Sequence, residues 1–331
     1  MNPVKARVFF FDNAKFLLIF FVILGHCLAR LGDGRLCASI DASVYFFHMP
    51  LFVFISGYFT RLDNTAIFGK DVLRIFETFL VFSVIHTVLA VLVWNQPLTL
   101  SFLLEPRWSL WYLLSLCVWR IVARSMKQMI TKPLFLLASF ILGVMFGFVP
   151  VDETLSIQRT FSLFPFFVAG CCSKSTNFFS LINRIPLWLG VAVLCMIPVI
   201  TYSIDFPFKK ILEGKYSYYR FDYPLWLSFL YRILFYCGSM IASICLLRVI
   251  PKKEIPWISE QGADSLYYYL YHTLLIYLLL RLRHYIILPT SLPAVLLYTC
   301  VIVGCIGMII RIPFFRYLPN IFSHCFKRTR G

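Results

Sequence analysis

The sequence predicts an all-α protein, a polytopic bundle of about ten transmembrane helices. Of its 331 residues, 60% are hydrophobic and only 14% are charged, whereas soluble domains carry about a quarter charged residues. The apolar residues gather in runs of roughly 20, the length that crosses a hydrocarbon core about 30 Å thick. Because a helix satisfies its own backbone hydrogen bonds inside lipid, these runs are predicted to be membrane-spanning helices.

The predicted spans follow one another with only short connections. They cover residues 10–29, 44–60, 74–94, 108–123, 133–150, 160–173, 186–204, 224–247, 264–280 and 293–313. No connection is long enough to bury a hydrophobic core of its own. We therefore expect a single transmembrane domain over residues 1–331 and no separate soluble domain.

The basic residues predict the orientation of the chain. The net charge is +16, and membrane proteins concentrate Lys and Arg in their cytoplasmic loops. If the N-terminus is cytoplasmic, the cytoplasmic loops and termini hold about twice as many Lys and Arg as the outer loops. Both termini are therefore predicted to be cytoplasmic. The basic residues form no tract interleaved with aromatics, so nucleic acid is not an expected partner.

The first predicted helix carries a polar stripe. Lys15 and His26 are eleven residues apart, which places them within roughly 20° of one face and about 16 Å apart along the helix. Asp12 lies on the same stripe, where we expect it to orient the Lys15 ammonium rather than to act in chemistry. Ionisable groups are costly inside a membrane and mark functional sites. The stripe is therefore predicted to line a site.

A second histidine lies at the same predicted depth. His48 follows the outer boundary of its span by about four residues and His26 precedes the outer end of its own by a similar number, so both lie ~6 Å inside the core. A single intramembrane histidine often serves only packing, but two at matched depth on consecutive helices favour a site. Neutral imidazole accepts a proton near neutral pH, as a general base must.

Four sequence blocks resemble the acyltransferase 3 family of integral membrane O-acyltransferases, especially its fucose 4-O-acetylase-like branch. The spacing from Lys15 to His26 is similar to the family's first-helix motif, a basic residue followed after ten residues by His. The sequence FHMPLFVFISGYF at 47–59 is similar to the second block, WSLWYLL at 108–114 to the Trp-aromatic-Leu block, and SLYYYLYH at 265–272 to a late block ending in His. The resemblance extends over most of the chain.

The resemblance implies a multi-pass enzyme of the bacterial plasma (inner) membrane, in contact with membrane lipid. Such an enzyme transfers acetyl from cytoplasmic acetyl-CoA to a hydroxyl of a cell-surface carbohydrate or lipid-linked glycan. It also implies an essential role for His26, which we interpret as the general base. His48 is interpreted as a second base, an orienting group or an oxyanion partner.

Three cations are the expected ligands of the acyl-CoA phosphates, because phosphates favour clustered cations. They are Lys15, Lys70 and Arg74. The family often has an Arg-x-x-Arg pair after the second helix, whereas here Glu77 stands three residues after Arg74. The 11 cysteines have no zinc-ligand spacing, so no metal is predicted.

Further residues are predicted to support the site. Ser56, Trp111 and His272 lie in the resembling blocks, although helix packing and helix–helix hydrogen bonding explain Ser56 and His272 equally well. Arg232 lies within a span and needs a partner, and a structural pair with a carboxylate or carbonyls is as good an interpretation as a functional role. His86 is interpreted as a packing residue.

Two alternatives stay open at the level of sequence. The outer loop 205–223, dense in Tyr and Lys, suits either an interfacial aromatic belt or a platform for a sugar. The whole chain also suits a transporter or flippase for a lipid-linked glycan, with the histidines as a proton relay. Transporters commonly contain inverted repeats and broken helices, and the sequence pattern indicates neither. The sequence predicts no oligomeric state.

Overall fold

The computed structural model describes residues 3–62, 65–97, 105–151, 154–174, 176–204 and 208–321. Within these ranges the regular structure is helical and contains no strand, which confirms the predicted all-α class. The α-helices are α1 (Pro3–Leu31), α2 (Gly34–Tyr45), α3 (His48–Phe59), α4 (Thr65–Trp94), α5 (Trp111–Ser125), α6 (Pro133–Met145), α7 (Ile157–Cys172), α8 (Phe178–Arg184), α9 (Leu187–Ser203), α10 (Phe208–Leu212), α11 (Leu225–Val249), α12 (Pro256–Ala263), α13 (Ser265–Leu282), α14 (Leu292–Ile309) and α15 (Pro313–Tyr317).

Each of the ten predicted spans coincides with a helix or a helix pair, but fewer have the length and composition of a membrane span. In the described part of the chain, six segments do: Phe9–Leu31, Gly34–Phe59, Gly69–Val93, Thr154–Cys172, Leu225–Val249 and Leu292–Ile309. The pair α8 and α9 makes a seventh if its 87° bend belongs to one span. The protein is therefore a multi-pass helical bundle, and α5, α6 and α13 occupy the other three predicted spans.

The second predicted span differs most from the structure. The sequence predicts a loop up to residue 43, whereas the chain is already helical from Gly34. Asp33 caps this helix by accepting a hydrogen bond from the Gly34 amide at 2.7 Å. The helix then breaks at residues 46–47, and α3 begins at His48. Hydropathy misses α2 because it is polar, and its polar side chains bond to α9 and α10, which are distant in sequence.

Helix α1 lies at the centre of the bundle, against α2, α3, α12, α13 and α14. Its N-terminal half is held by Asn13, whose side-chain amide donates to the carbonyls of Pro251 and Lys253 at 2.9 Å each and accepts from the Ser259 hydroxyl at 2.7 Å. At Gly262 a side chain would overlap the Asp12 carbonyl, so α12 packs directly on the α1 backbone. These contacts hold the polar stripe of α1 in a fixed register.

Helices α3 and α7 approach each other most closely at two glycines. A Cβ atom at Gly57 would overlap the backbone of Phe167, and one at Gly170 would overlap the backbone of Phe54. Small residues permit such close approach between helices in a membrane. Helix α5 is tied to α7 as well, because the Trp119 indole donates to the Thr160 carbonyl at 2.8 Å. The pair α3 and α5 thereby faces a common space beside α1.

Large apolar side chains are also exposed on the outside of the bundle. Leu134 is 76% exposed, Leu92 73% and Leu297 61%. A soluble monomer rarely exposes so many large apolar groups, whereas contact with lipid accounts for them.

Candidate active site

A cavity of about 480 Å³ opens between α1, α3, α4 and α5. We call it the Arg120 cavity. Its lining at one end includes the charged residues Lys15, Asp71, Arg74 and Arg120. The lining then continues along α3 and α5 over apolar side chains such as Phe52 and Leu116. It is therefore a tunnel-like space with a cationic mouth and an apolar wall.

Two of the three cations at this mouth, Lys15 and Arg120, each lie next to a carboxylate. Lys15 Nζ lies 2.7 Å from the Asp12 carboxylate, and the orienting role of Asp12 stays a prediction. Arg120 lies 4.0 Å from Asp71, and its Nε is buried with no hydrogen-bond partner among the described residues. A buried donor without a partner is costly. Arg120 is therefore available to a ligand with acceptor oxygens.

Three polar groups stand where the Arg120 cavity meets the core. The Ser56 and Tyr112 hydroxyls share a hydrogen bond of 2.5 Å, and both residues line the cavity. Tyr269 lines it too, and its hydroxyl donates to the Ser109 carbonyl. The Tyr269 ring lies 6.2 Å from the His272 ring. The cavity thus ends next to the histidines without including them in its lining.

His26 and His272 form an imidazole pair at this end. Their ring centroids are 5.1 Å apart, with His26 half-buried on α1 and His272 fully buried on α13. His272 Nδ1 bonds to the carbonyls of Tyr269 at 2.8 Å and Tyr268 at 3.1 Å. Because a carbonyl only accepts, Nδ1 carries the proton. The Nε2 lone pair of His272 is then buried with no partner in the described part of the chain.

His48 also lies within electrostatic range of His26. Its Nδ1 donates to the Val44 carbonyl at 2.7 Å, which leaves Nε2 as the acceptor nitrogen. The ring packs edge-on against Tyr45, 4.7 Å between centroids. His48 begins α3, so the break between α2 and α3 places this imidazole.

A buried ion pair stands beside this cluster. Asp41 on α2 pairs with Lys209 on α10, and Lys209 also lies 5.4 Å from the Tyr45 ring centre. The second carboxylate oxygen, Oδ1, has no hydrogen-bond partner among the described residues. It faces α1 at Gly25, where an added Cβ would lie 3.5 Å away. An acceptor oxygen therefore points at the helix turn that carries His26.

Aromatic rings also lie beside His26. Trp108 lies 6.2 Å from the His26 ring and 4.3 Å from the Tyr277 ring, and the Arg30 guanidinium sits 4.5 Å from its centre. Trp108 has φ +52°, a left-handed conformation that costs a non-glycine residue roughly 1–2 kcal/mol. Such strain concentrates at functional sites. The neighbouring Trp111 is buried under Arg159, 5.0 Å from its ring centre.

The remaining predicted residues lie outside the cluster. Lys70 is exposed one turn before Arg74 and does not line the Arg120 cavity. Arg232 is buried and donates to the Ser162 hydroxyl at 2.8 Å and to the Tyr216 carbonyl at 3.2 Å, so its partners are neutral and fasten a loop to α7. His86 bonds to the Thr273 hydroxyl at 3.1 Å, which fits the predicted packing role.

Sequence reasoning missed two contributors to the Arg120 cavity, Arg120 and Tyr112. A signal was present, because Tyr112, Leu116 and Arg120 recur every four residues and so share one face of α5. All three line the cavity. Periodicity had indicated only a span, since nothing in α5 alone identifies which face meets α1.

Fold and site together define a multi-pass membrane-helix protein in which a cation-lined tunnel leads toward paired imidazoles. Residues 8–311 match the acyltransferase 3 family, described as an acyltransferase domain. Because that match covers nearly the whole chain, the protein belongs to this family and is an acyltransferase.

A relative and the solved structures add less. A 65-residue stretch is 45% identical to the nodulation protein NolL of Mesorhizobium japonicum, over 18% of this chain and 17% of that protein. The matched stretch therefore spans under a fifth of the relative's length. No solved structure matches the chain.

Proposed function

We propose that this acyltransferase moves an acetyl group from acetyl-CoA to a hydroxyl of a cell-surface carbohydrate or lipid-linked glycan. One observation carries the proposal: the Arg120 cavity joins a cationic mouth to the end of the core where His26 and His272 meet. A phosphate-bearing thioester needs cations at one end and a catalytic base at the other. The Arg120 cavity offers the cations, and its Tyr269 end lies beside His272, which pairs with the proposed base His26.

The donor would bind with its phosphates at Lys15, Arg74 and Arg120. Charge-assisted hydrogen bonds from such cations to phosphate are stronger than neutral ones. The acyl-pantetheine arm would follow the apolar wall toward Tyr269. Lys15 and His26 are separated by about 16 Å along α1, and the arm would span that distance. Lys70, exposed one turn away, would add charge at the mouth without contact inside the cavity.

His26 would act as the general base. It accepts the proton of the acceptor hydroxyl while the hydroxyl oxygen attacks the thioester carbonyl carbon. The C–S bond breaks, the ester C–O bond stays, and the thiolate leaves with that proton as free coenzyme A. His272, whose Nε2 has no partner among the described residues, and His48 would orient His26 and share its proton. Proximity and a positioned base are the two contributions that the protein makes.

The acceptor would arrive from the side of the bundle that carries His48, Lys209 and the Tyr-rich segment near residues 215–223. Aromatic faces and cationic donors suit a glycan. This assignment gives Trp111 an indirect role, since it supports Arg159 rather than lining the Arg120 cavity. Arg232 is assigned a structural role in the same loop region.

The proposal includes an orientation with both termini in the cytoplasm of the plasma membrane and a total of ten crossings, in which α5, α6 and α13 also span the membrane. Reporter fusions test it. Fusions at Lys132 and at Gly331 are expected to report cytoplasm, and one at Lys210 the outside. A C-terminal fusion that reports the outside would reject the ten-span topology.

The function is tested with the purified full-length protein in lipid nanodiscs. We expect saturable acetyl-CoA binding and transfer of labelled acetyl to glycan isolated from the source cell. Protein that binds no acetyl-CoA yet moves a lipid-linked glycan between leaflets would replace this proposal with the transporter alternative.

A further inference from the structure

A second polar cavity, of about 360 Å³, lies near the start of α5, and we call it the Arg159 cavity. Its charged lining consists of Arg159, Lys215, Arg220 and one carboxylate, Glu105. The rest of the lining includes the apolar residues Pro106 and Val151. A space with three cations and one anion attracts negative charge.

The backbone reinforces this positive potential. Helix α7 begins at Ile157, and Ser156 before it gives no side-chain cap. The Ser156 side chain therefore accepts from none of the first amides of α7, and the helix dipole favours an anion at this end. Leu155 and Ser156 both have left-handed φ, 51° and 54°. Two consecutive non-glycine residues hold this strained turn, and Ser156 forms part of the cavity wall.

Two of the cations are held in place by neighbours. Lys215 lies 3.4 Å from Glu213 and 4.7 Å from the Tyr216 ring centre. Arg159 lies over Trp111, which orients its guanidinium. A guanidinium fixed on an aromatic face retains all its N–H donors for a planar or tetrahedral oxyanion. The cavity is thus preorganised for such a group.

The Arg159 cavity is also close to the imidazoles. Arg159 lies within electrostatic range of Tyr45, and Tyr45 contacts the His48 ring at 4.7 Å. Trp111, beneath Arg159, directly precedes Tyr112 of the Arg120 cavity. A molecule held by Arg159 would therefore extend toward the same histidines as the donor.

We propose that the Arg159 cavity binds an oxyanion group of the acceptor, the phosphate of a lipid-linked glycan or the carboxylate of a sugar acid. The inference rests on the proposed function and names its acceptor class: an acidic, not a neutral, glycan. Anchoring the anion there leaves a hydroxyl of the same molecule to reach His26. Specificity then comes from charge at a distance from the reacting oxygen.

The test is a binding titration that does not need transfer. Full-length protein in phosphatidylcholine nanodiscs is saturated with coenzyme A, which occupies the Arg120 cavity. Inorganic pyrophosphate, glucuronate and glucose are then titrated separately by calorimetry. We expect one or both anions to bind and glucose not to bind. Pyrophosphate alone would identify the phosphate source, and glucuronate alone the carboxylate source.

Variants assign the binding to this cavity. Arg159→Gln is expected to weaken the bound anion about tenfold, since a charge-assisted hydrogen bond is lost. Arg159→Lys keeps the charge and is expected to restore part of that loss. Lys210→Gln is the matched control, an exposed cation of the same region that does not line the cavity. If Arg159→Gln does not fold, Arg220→Gln, at an exposed position, replaces it.

The outcomes separate this inference from the proposed function. Absence of anion binding to protein that holds coenzyme A would overturn the inference alone. Anion binding lost in Arg120→Gln but unchanged in Arg159→Gln would also overturn it, because the anion would then occupy the other cavity. A protein that fails to bind coenzyme A would instead reject the proposed donor, whatever the anion does.

Discussion

The two polar cavities both have a cationic lining, but they differ in the residues that make up the rest of their walls. The Arg120 cavity, about 480 Å³, extends from its charges over a long apolar wall, whereas the Arg159 cavity, about 360 Å³, is lined mainly by charged and polar residues, with Pro106 and Val151 among its apolar lining. A cationic mouth with an apolar extension suits a phosphate-bearing molecule with a long acyl arm. A compact cationic cavity suits a hydrated anion. Charge alone therefore does not distinguish the proposed donor cavity from the proposed acceptor cavity. The residues around the charges do.

The histidines His26, His48 and His272 lie near residues of both cavities. Loss of His26 is expected to have the largest effect. His26→Ala removes the proposed base, so acyl transfer is expected to fall about 10²–10⁴-fold. Acetyl-CoA affinity is expected to stay nearly the same, because His26 does not line the Arg120 cavity. The measurement is the single-turnover rate of labelled acetyl transfer.

His284→Ala is the matched control, since His284 is exposed after the end of α13. It is expected to retain the normal rate. Near-normal transfer by His26→Ala would identify His26 as a packing residue and leave the two cavities without a shared reaction centre.

The next effect separates the two cavities directly. Arg120→Gln is expected to weaken acetyl-CoA binding about tenfold, because the substitution removes a charge-assisted hydrogen bond from the guanidinium to a phosphate. The Arg120 Nε is buried and has no hydrogen-bond partner among the described residues. Lys132→Gln, at an exposed position after α5, serves as control. Calorimetric titration with acetyl-CoA provides the measurement. If Arg159→Gln weakens acetyl-CoA as much as Arg120→Gln does, the assignment of donor and acceptor cavities is wrong.

The smallest effect concerns the inner end of the Arg120 cavity. Tyr112→Phe removes the 2.5 Å hydrogen bond to Ser56, worth about 0.5–1.5 kcal/mol, and a rate loss of about two- to tenfold is expected. Ser56→Ala is expected to cost a similar amount. The double variant should be little worse than either single one if the two hydroxyls act through their shared bond. Strictly additive losses would show that they act separately.

The bundle was predictable from sequence to a greater extent than its site. Apolar runs locate helices well because a membrane imposes one length and one secondary structure. They mislead at α2, where Asp41 makes a helix look like a loop until its partner Lys209 is known. The apolar runs also do not predict the break before His48, which depends on how α2 and α3 pack.

Within the site, only local relations were predictable. The stripe of Asp12, Lys15 and His26 follows from the geometry of one helix, and the 2.7 Å ion pair between the first two agrees with it. His26 on α1 pairs with His272 on α13. Because the two helices are distant in sequence, residue spacing does not predict this contact. The depth argument singled out His48 because it lies on the next helix, whereas packing sets His272 against the His26 ring.

The most direct test compares substitutions at the two ends of the α1 stripe, Lys15 and His26, for rescue by acetyl-CoA. Lys15→Ala is expected to weaken acetyl-CoA binding, with the rate recovering as acetyl-CoA is raised, the signature of lost ground-state binding. Lys15→Arg keeps the charge and is expected to retain much of the activity, although the two groups differ in geometry. His26→Ala is expected to bind acetyl-CoA normally and to stay inactive at every concentration. Equal rescue of both variants, or of neither, would contradict a donor site at one end of the stripe and a base at the other.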